Sequence, residues 1–241
     1  MLRLLFIPIG YIFGLFQTGH FYGKMVGRDL HKEGSGNTGA TNALRVLGLK
    51  GGLIVFFFDV LKTFIPCFAV KMIFRDDPLC YVYLMYTAIG VVLGNDYPFY
   101  LKFKGGKGVA ACFGWFLALD WRIAVIGISL FFIIAFSTRY VSISSICAAL
   151  FVIILVPVFR HFGWLPIQEH FTELMILICV AQAILVFRHK DNIKRLINGN
   201  ENRFGKKKTE EPAKEPETEP AKEAENEEES EPEKESETET I

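Results

Sequence analysis

Four polar stretches in an otherwise apolar chain carry residue types suited to holding phosphate. The first is Gly34-Ser35-Gly36-Asn37-Thr38-Gly39-Ala40-Thr41-Asn42-Ala43-Leu44-Arg45. Gly34, Gly36 and Gly39 free the backbone to turn its N–H groups toward one point. Ser35, Asn37, Thr41 and Asn42 add short hydrogen-bonding side chains, and Arg45 adds a two-pronged cation. The glycines also match G-x-G-x-x-G. A dinucleotide-binding loop must follow a buried strand, and the preceding residues Arg28, Asp29, His31, Lys32 and Glu33 form none. A flexible linker would account for the glycines, but not for the polar residues or the arginine.

The second stretch is Lys104-Gly105-Gly106-Lys107-Gly108, leading into an apolar run from Val109. It is no Walker loop, because Leu101 and Gly108 stand where that motif needs glycine and Ser or Thr. Its glycines allow close backbone approach to an anion, its lysines supply charge, and a helix from Val109 would offer its N-terminus. A turn with topology-setting lysines would read the same way. In the third stretch Ser142 stands at a helix start beside Arg139, where it either bonds neighbouring backbone or reaches an anion. The fourth runs from Arg188 to Glu201. His189 and Asn192 share a helix face, as do Asn192 and Arg195, and histidine exchanges protons near neutral pH. A basic segment resting on headgroups would explain its lysines and arginines, but not His189, Asn192 or Glu201.

These stretches must be positioned by membrane helices. Of 241 residues, 51% are hydrophobic, in runs near the roughly 20 residues that a spanning helix needs. The fold class expected is an all-α polytopic membrane protein of about seven transmembrane helices. They cover residues 2–22, 52–74, 79–94, 109–119, 123–136, 141–159 and 174–187, and the fourth is short enough to be re-entrant. Basic residues set the orientation. Lys24, Arg28, Lys32, Arg45 and Lys50 fall in one loop and Lys102, Lys104 and Lys107 in another; Arg139 follows the fifth span and Arg188, Lys190, Lys194 and Arg195 the seventh. Positive-inside counting puts these in the cytoplasm, with the N-terminus outside and the C-terminus inside. All four polar stretches then share the cytoplasmic face.

The zero net charge conceals two halves. Residues 206–241 hold 6 Lys and 15 Glu, leaving a net of +9 on residues 1–205. The chain thus reads as a membrane domain, 1–205, and a Glu/Lys/Pro-rich cytoplasmic tail, 206–241, too polar to fold. Five cysteines stand singly within apolar runs, so neither a disulfide framework nor a metal site is expected. Inside the second span, Asp59 and Lys62 lie three residues apart on one helix face. Two readings stay open for Lys62: a wall of the site, or a buried ion pair tying helices together.

The first stretch, Phe103-Lys104-Gly105-Gly106-Lys107-Gly108-Val109, and His189 through Leu196 with Gly199 and Glu201 resemble, in order, the three motifs of the bacterial membrane acyl-phosphate:glycerol-3-phosphate acyltransferase family, PlsY. The resemblance implies a seven-helix enzyme of the bacterial inner membrane with its site facing the cytoplasm. It would move an acyl group from acyl phosphate to the 1-hydroxyl of glycerol 3-phosphate, giving lysophosphatidic acid and phosphate. It would use no cofactor, metal, acyl-CoA or acyl carrier protein. Its partners would be the two substrates and the bilayer, with no nucleic acid and no obligate protein partner. The chain departs from the family at Asn95, where a histidine is usual, and at Gly14-Leu15-Phe16-Gln17-Thr18-Gly19, which lacks the usual serine and proline.

Acyl phosphate is already activated, so the reaction needs position, proton removal and charge stabilisation. The expected catalytic residues are Ser35, Arg45, Lys104, His189 and Asn192. The expected phosphate-binding set is Gly34, Gly36, Asn37, Gly39, Thr41, Asn42, Gly105, Gly106, Lys107, Gly108, Arg139, Ser142, Arg195 and Glu201. Either His189 or the donor's own phosphate takes the proton. A transporter for a phosphorylated metabolite is the main rival; no matching half-sequences support it, and uptake into sealed vesicles without acyl transfer would. A scaffold recruiting partners through the tail is the third class.

Overall fold

The structure is a computed structural model describing residues 2–167 and 169–203. The expected tail lies outside these residues. Every regular element among them is helical. After one 3-10 turn come α1 (Phe6–Gly14), α2 (Thr18–Met25), α3 (Ala40–Ile73), α4 (Cys80–Asp96), α5 (Val109–Leu119), α6 (Trp121–Thr138), α7 (Val141–His161), α8 (Phe171–Arg188) and α9 (Lys190–Ile197). Helix occurs at all seven expected positions, but among the described residues only five candidates are long and apolar enough to cross a membrane: Leu2–Met25, α3, α6, α7 and α8. The helices α4 and α5, with 17 and 11 residues, are shorter.

Two boundaries differ from expectation for physical reasons. The first span is broken at Leu15–Gln17, where tertiary donors take the freed backbone carbonyls. The Lys62 ammonium donates to the Phe16 carbonyl at 2.8 Å, and the Gln17 amide donates to Gly14 O at 3.1 Å and to Asn95 O at 3.0 Å. Such partners are what lets backbone leave the helix at membrane depth. The second span starts earlier than residue 52. The helix begins at Ala40 and kinks at Gly48, whose φ of 75° favours glycine. Thr41, Asn42 and Arg45 therefore stand on a helix and not in a loop.

Helix α4 is apolar on every side, and it packs against α1, α3, α5 and α8. A helix of that kind belongs at the centre of a bundle. Its seam with α1 is a double small-residue ridge, Gly10 and Gly14 facing Gly90 and Gly94. A Cβ at Gly10 would run into the Thr87 carbonyl, and one at Gly94 into the Tyr11 carbonyl. Backbones in direct contact are the membrane counterpart of a packed core, and alanine at either position would force them apart. Between α3 and α6 lies α5, which packs on both. Gly114 brings α5 so close to α3 that a Cβ there would meet the Val60 carbonyl. The Lys71 ammonium caps the far end of α5, 3.0 Å from Ala118 O and 2.9 Å from Leu119 O. The core below is apolar, with Trp115, Phe116, Leu119 and Ile123 at most 1% exposed.

Candidate active site

The second glycine loop is built onto the C-terminal end of α4. The Gly105 and Gly106 amides donate to Asp96 O at 3.2 Å and Asn95 O at 2.9 Å. A Cβ on Gly106 would lie 2.7 Å from Asn95 Nδ2, and one on Gly105 would strike Asn95 O. These two glycines exist for packing, so the expected cradle of their N–H groups is corrected. Their carbonyls are held as well: Arg188 donates through Nη2 to Gly106 O at 2.7 Å and Gly105 O at 3.3 Å, and through Nε to Gly106 O at 3.1 Å. Its guanidinium stacks 4.9 Å from the Tyr97 ring centroid and stands 3.9 Å from the fully buried Asp96 carboxylate. Gly108, at φ 73°, then turns the chain into α5.

The first glycine loop folds on itself. Asn42 is 2% exposed and accepts from the Ser35 amide at 2.7 Å, while its amide donates to the Leu30 and Glu33 carbonyls at 3.0 Å each. Asn37 accepts from the Gly39 amide at 2.8 Å, a local Asx turn, and donates to Gly105 O at 3.4 Å. Thr38 donates to Gln17 Oε1 at 3.2 Å. Since Gln17 also bonds Asn95 O, one buried amide ties the first loop to the base of the second.

The third element is α9 with the turn behind it. Gly199, at φ 71°, reverses the chain, and the Asn200 amide closes on Arg195 O at 2.8 Å. The return brings Glu201 over α9, where it is 9% exposed. It accepts from Asn192 Nδ2 at 2.7 Å, Arg195 Nε at 2.8 Å and Ser142 Oγ at 3.0 Å. Burial would raise its pKa, but the Asn192 and Arg195 hydrogen bonds hold it below the ordinary carboxylate value. Asn192 Oδ1 in turn accepts from Lys107 Nζ. Burial pushes the Lys107 ammonium down to about 8, and the Arg195 and Arg188 charges push the same way. His189 is 3% exposed, and its Nδ1 lies 2.8 Å from Leu185 O. The carbonyl can only accept, so the proton sits on Nδ1 and Nε2 keeps its lone pair. Burial holds the ring neutral, its pKa down to about 4.

These parts meet at one cavity of about 470 Å³. Ser35, Asn37, Gly39, Thr41, Asn42 and Arg45 line it from the first loop and α3. Gly106, Lys107 and Gly108 line it from the second loop, Ser142 from α7, and His189, Asn192, Arg195 and Glu201 from the far side. Arg45 has no hydrogen bond or ion pair among the described residues. From this cationic end an apolar arm extends between α3 and α6 over α5, walled by Leu53, Phe56, Phe113, Ile128, Phe131 and Phe132. One end of the cavity suits a phosphate and the other a hydrocarbon chain.

Several expected residues stand elsewhere. Lys104 and Arg139 are exposed and do not line the cavity, Arg139 standing at the C-terminal cap of α6. Gly34, Gly36 and Gly105 shape the loops without reaching the cavity. Lys62 is the buried tie: its three donors meet Asp59 Oδ1 at 2.7 Å, Phe16 O at 2.8 Å and Asn95 Oδ1 at 2.8 Å. It supports Asp59 and Asn95, which line the cavity, without lining it itself. Arg188, read only as the start of the fourth stretch, and Gln17, read only within a departure from the family, were given no part in the site, and the apolar arm was missed. The arm was readable in Ile128, Phe131, Phe132, Ala135 and Phe136, one face of a helix.

The family model of glycerol-3-phosphate acyltransferase matches residues 4–199. A glycerol-3-phosphate acyltransferase of Aquifex aeolicus (strain VF5) is 36% identical over 204 residues, 85% of this chain and 100% of the relative. One of Fusobacterium nucleatum subsp. nucleatum is 38% identical over 200 residues, 83% of this chain and 96% of the relative. The crystal structure of PlsY (YgiH), an integral membrane glycerol 3-phosphate acyltransferase, in its glycerol 3-phosphate form, matches with a TM-score of 0.74 at 36% identity, covering 85% of this chain and 96% of that one. Its lysophosphatidic acid form matches with a TM-score of 0.73 at 35% identity, with the same coverage. An apolar helical bundle with a phosphate-suited pocket opening into a hydrocarbon groove, alike in sequence and fold to these enzymes over nearly their whole length, belongs to the glycerol-3-phosphate acyltransferase family.

Proposed function

We propose that the chain transfers a fatty acyl group from acyl phosphate to the 1-hydroxyl of glycerol 3-phosphate, giving lysophosphatidic acid and inorganic phosphate. The carrying observation is the joined cavity: a cationic pocket with Arg45, Lys107 and Arg195, continuous with an apolar arm. Both proposed substrates bear phosphate, and only the donor bears the chain. The alcohol oxygen bonds to the acyl carbon while the carbon–oxygen bond to phosphate breaks, and the departing phosphate keeps the electron pair and takes the hydroxyl proton. A buried neutral His189 is a weak base but a good acceptor, so Nε2 orients the attacking hydroxyl. Arg45 and Lys107 neutralise the phosphates, and positioning supplies much of the acceleration. Ser35 and Asn192 complete the contacts, with Glu201 setting the direction of Asn192. The distribution of basic residues supports a site facing the cytoplasm of a bacterial inner membrane. The test is phosphate release by purified protein given palmitoyl phosphate, with and without glycerol 3-phosphate. Release that requires glycerol 3-phosphate and yields lysophosphatidic acid is expected. Release or uptake independent of it would transfer the reading to hydrolysis or transport.

A further inference from the structure

The apolar arm has a shape that bears on donor length. On α6 it is lined at Phe136, Ala135, Phe132, Phe131 and Ile128, and on α3 at Leu49, Gly52, Leu53 and Phe56. From Phe136 to Ile128 is eight residues of helix, about 12 Å at the helical rise. A staggered hydrocarbon advances about 1.25 Å per bond, so about ten carbons fill that length. The floor at the deep end is Phe113 on α5, 4% exposed. Its ring is fixed from three sides, with centroids 6.1 Å from Phe56, 6.0 Å from Phe131 and 5.8 Å from Phe116. Beneath it Gly127 lies against the Phe116 ring, and Phe116, Trp115 and Ile123 are fully packed. A straight chain cannot continue there. The side of the arm is different. Leu53 and Phe132 on its two rims are 57% and 49% exposed, on a surface that faces lipid.

We propose that Phe113 ends the acyl arm and determines how the enzyme reads donor length, an inference resting on the acyl-phosphate reading above. About ten carbons next to the reacting carbonyl lie in the arm. Carbons beyond them turn out between Leu53 and Phe132 into the bilayer, where all tails are alike. The enzyme therefore discriminates among donors shorter than about ten carbons and treats longer ones nearly equally. Phe113→Ala opens a straight continuation and creates a preference among long donors, whereas Ile128→Trp shortens the arm and extends the indifference to shorter donors.

The experiment gives the full chain, in one mixed micelle with glycerol 3-phosphate, an equimolar set of saturated acyl phosphates from eight to eighteen carbons. The chain lengths of the lysophosphatidic acid formed are read by mass spectrometry. Expected is a profile flat above about ten carbons for the unaltered chain. Phe113→Ala should raise the ratio of eighteen- to ten-carbon product about tenfold, the scale on which apolar pockets separate substrates differing by a methylene. Ile128→Trp should leave that ratio flat and raise the ratio of eight- to ten-carbon product, because the flat region then begins at a shorter donor. Phe113→Leu, which keeps most of the bulk, gives the test a second readout should the alanine variant fail to fold, with a smaller shift in the same direction. Unchanged profiles in active variants, or a sharp optimum between fourteen and eighteen carbons in the unaltered chain, would overturn the proposal. Absence of any glycerol 3-phosphate-dependent product from the unaltered chain would instead overturn the donor reading, so the two failures are distinguishable.

Discussion

Replacing Glu201 with glutamine tests whether the site is organised through that carboxylate. The carboxylate accepts three hydrogen bonds, from Asn192, Arg195 and Ser142. A glutamine has one acceptor oxygen and one donor nitrogen, so it can serve one side and must face a donor on the other. Hydrogen bonds to charged groups contribute about 1.5–3 kcal/mol each. The Arg195 side chain is 39% exposed, so its bond is screened by water and adds at most about 1 kcal/mol. Both buried bonds go to Oε1, so a glutamine keeps them through its oxygen, each weakened by about 0.5–1 kcal/mol as the acceptor loses its charge, and with the lost Arg195 bond this gives about 2–3 kcal/mol. With tenfold per 1.4 kcal/mol, kcat/KM for glycerol 3-phosphate should fall about 30- to 150-fold. The loss should appear there because Glu201 orients Asn192, and Asn192 holds Lys107. The assay is steady-state lysophosphatidic acid formation at saturating palmitoyl phosphate, with thermal unfolding in detergent as the control for fold. A folded Glu201→Gln variant within threefold of the unaltered enzyme would refute the reasoning.

Other outcomes follow from the same geometry. Because burial lowers the Lys107 pKa to about 8, the free enzyme loses this cation as pH rises through that value, so KM for glycerol 3-phosphate should climb above pH 8 in a pH series. Lys107→Met should abolish that climb. Because His189 is held neutral, with a pKa near 4, kcat should show no inflection near pH 6.5, and His189→Gln should leave measurable turnover; a variant with no turnover but normal substrate binding would favour the histidine as base. Arg188→Ala removes the donors to Gly105 O and Gly106 O, and kcat should fall about 30-fold or more for the loss of about 2 kcal/mol or more, with partial recovery in Arg188→Lys. Lys62→Met leaves Asp59 buried and uncompensated, and the folded state should lose about 3–5 kcal/mol, read as a lower unfolding temperature.

The limits of sequence reading here have a physical form. Helix positions were legible because apolar runs and their basic flanks are local signals. The break at Leu15–Gln17 was not, because the groups that make it tolerable, Lys62 and Asn95, are 46 and 78 residues away from Phe16 and Gln17. The glycines teach the same lesson at finer scale. Composition marks 34–39 and 105–108 as places where backbone comes close to something, but not to what. In the second loop the something is the end of α4, while Lys107 and the start of α5 line the cavity. Lys104 and Lys107 are chemically identical and three residues apart, yet Lys104 is exposed and only Lys107 lines the cavity. Glu201 shows the converse. From sequence it stands out as an acid that a headgroup-resting basic segment does not need, and it is expected among the phosphate-binding residues, but its partners are not legible. Its burial beneath Ser142, Asn192 and Arg195 makes it the point through which α7 and α9 share one orientation, reached through a single glycine turn at Gly199. Residue types thus announce the chemistry a site can do, while the hydrogen bonds that aim them decide which copy of each type performs it.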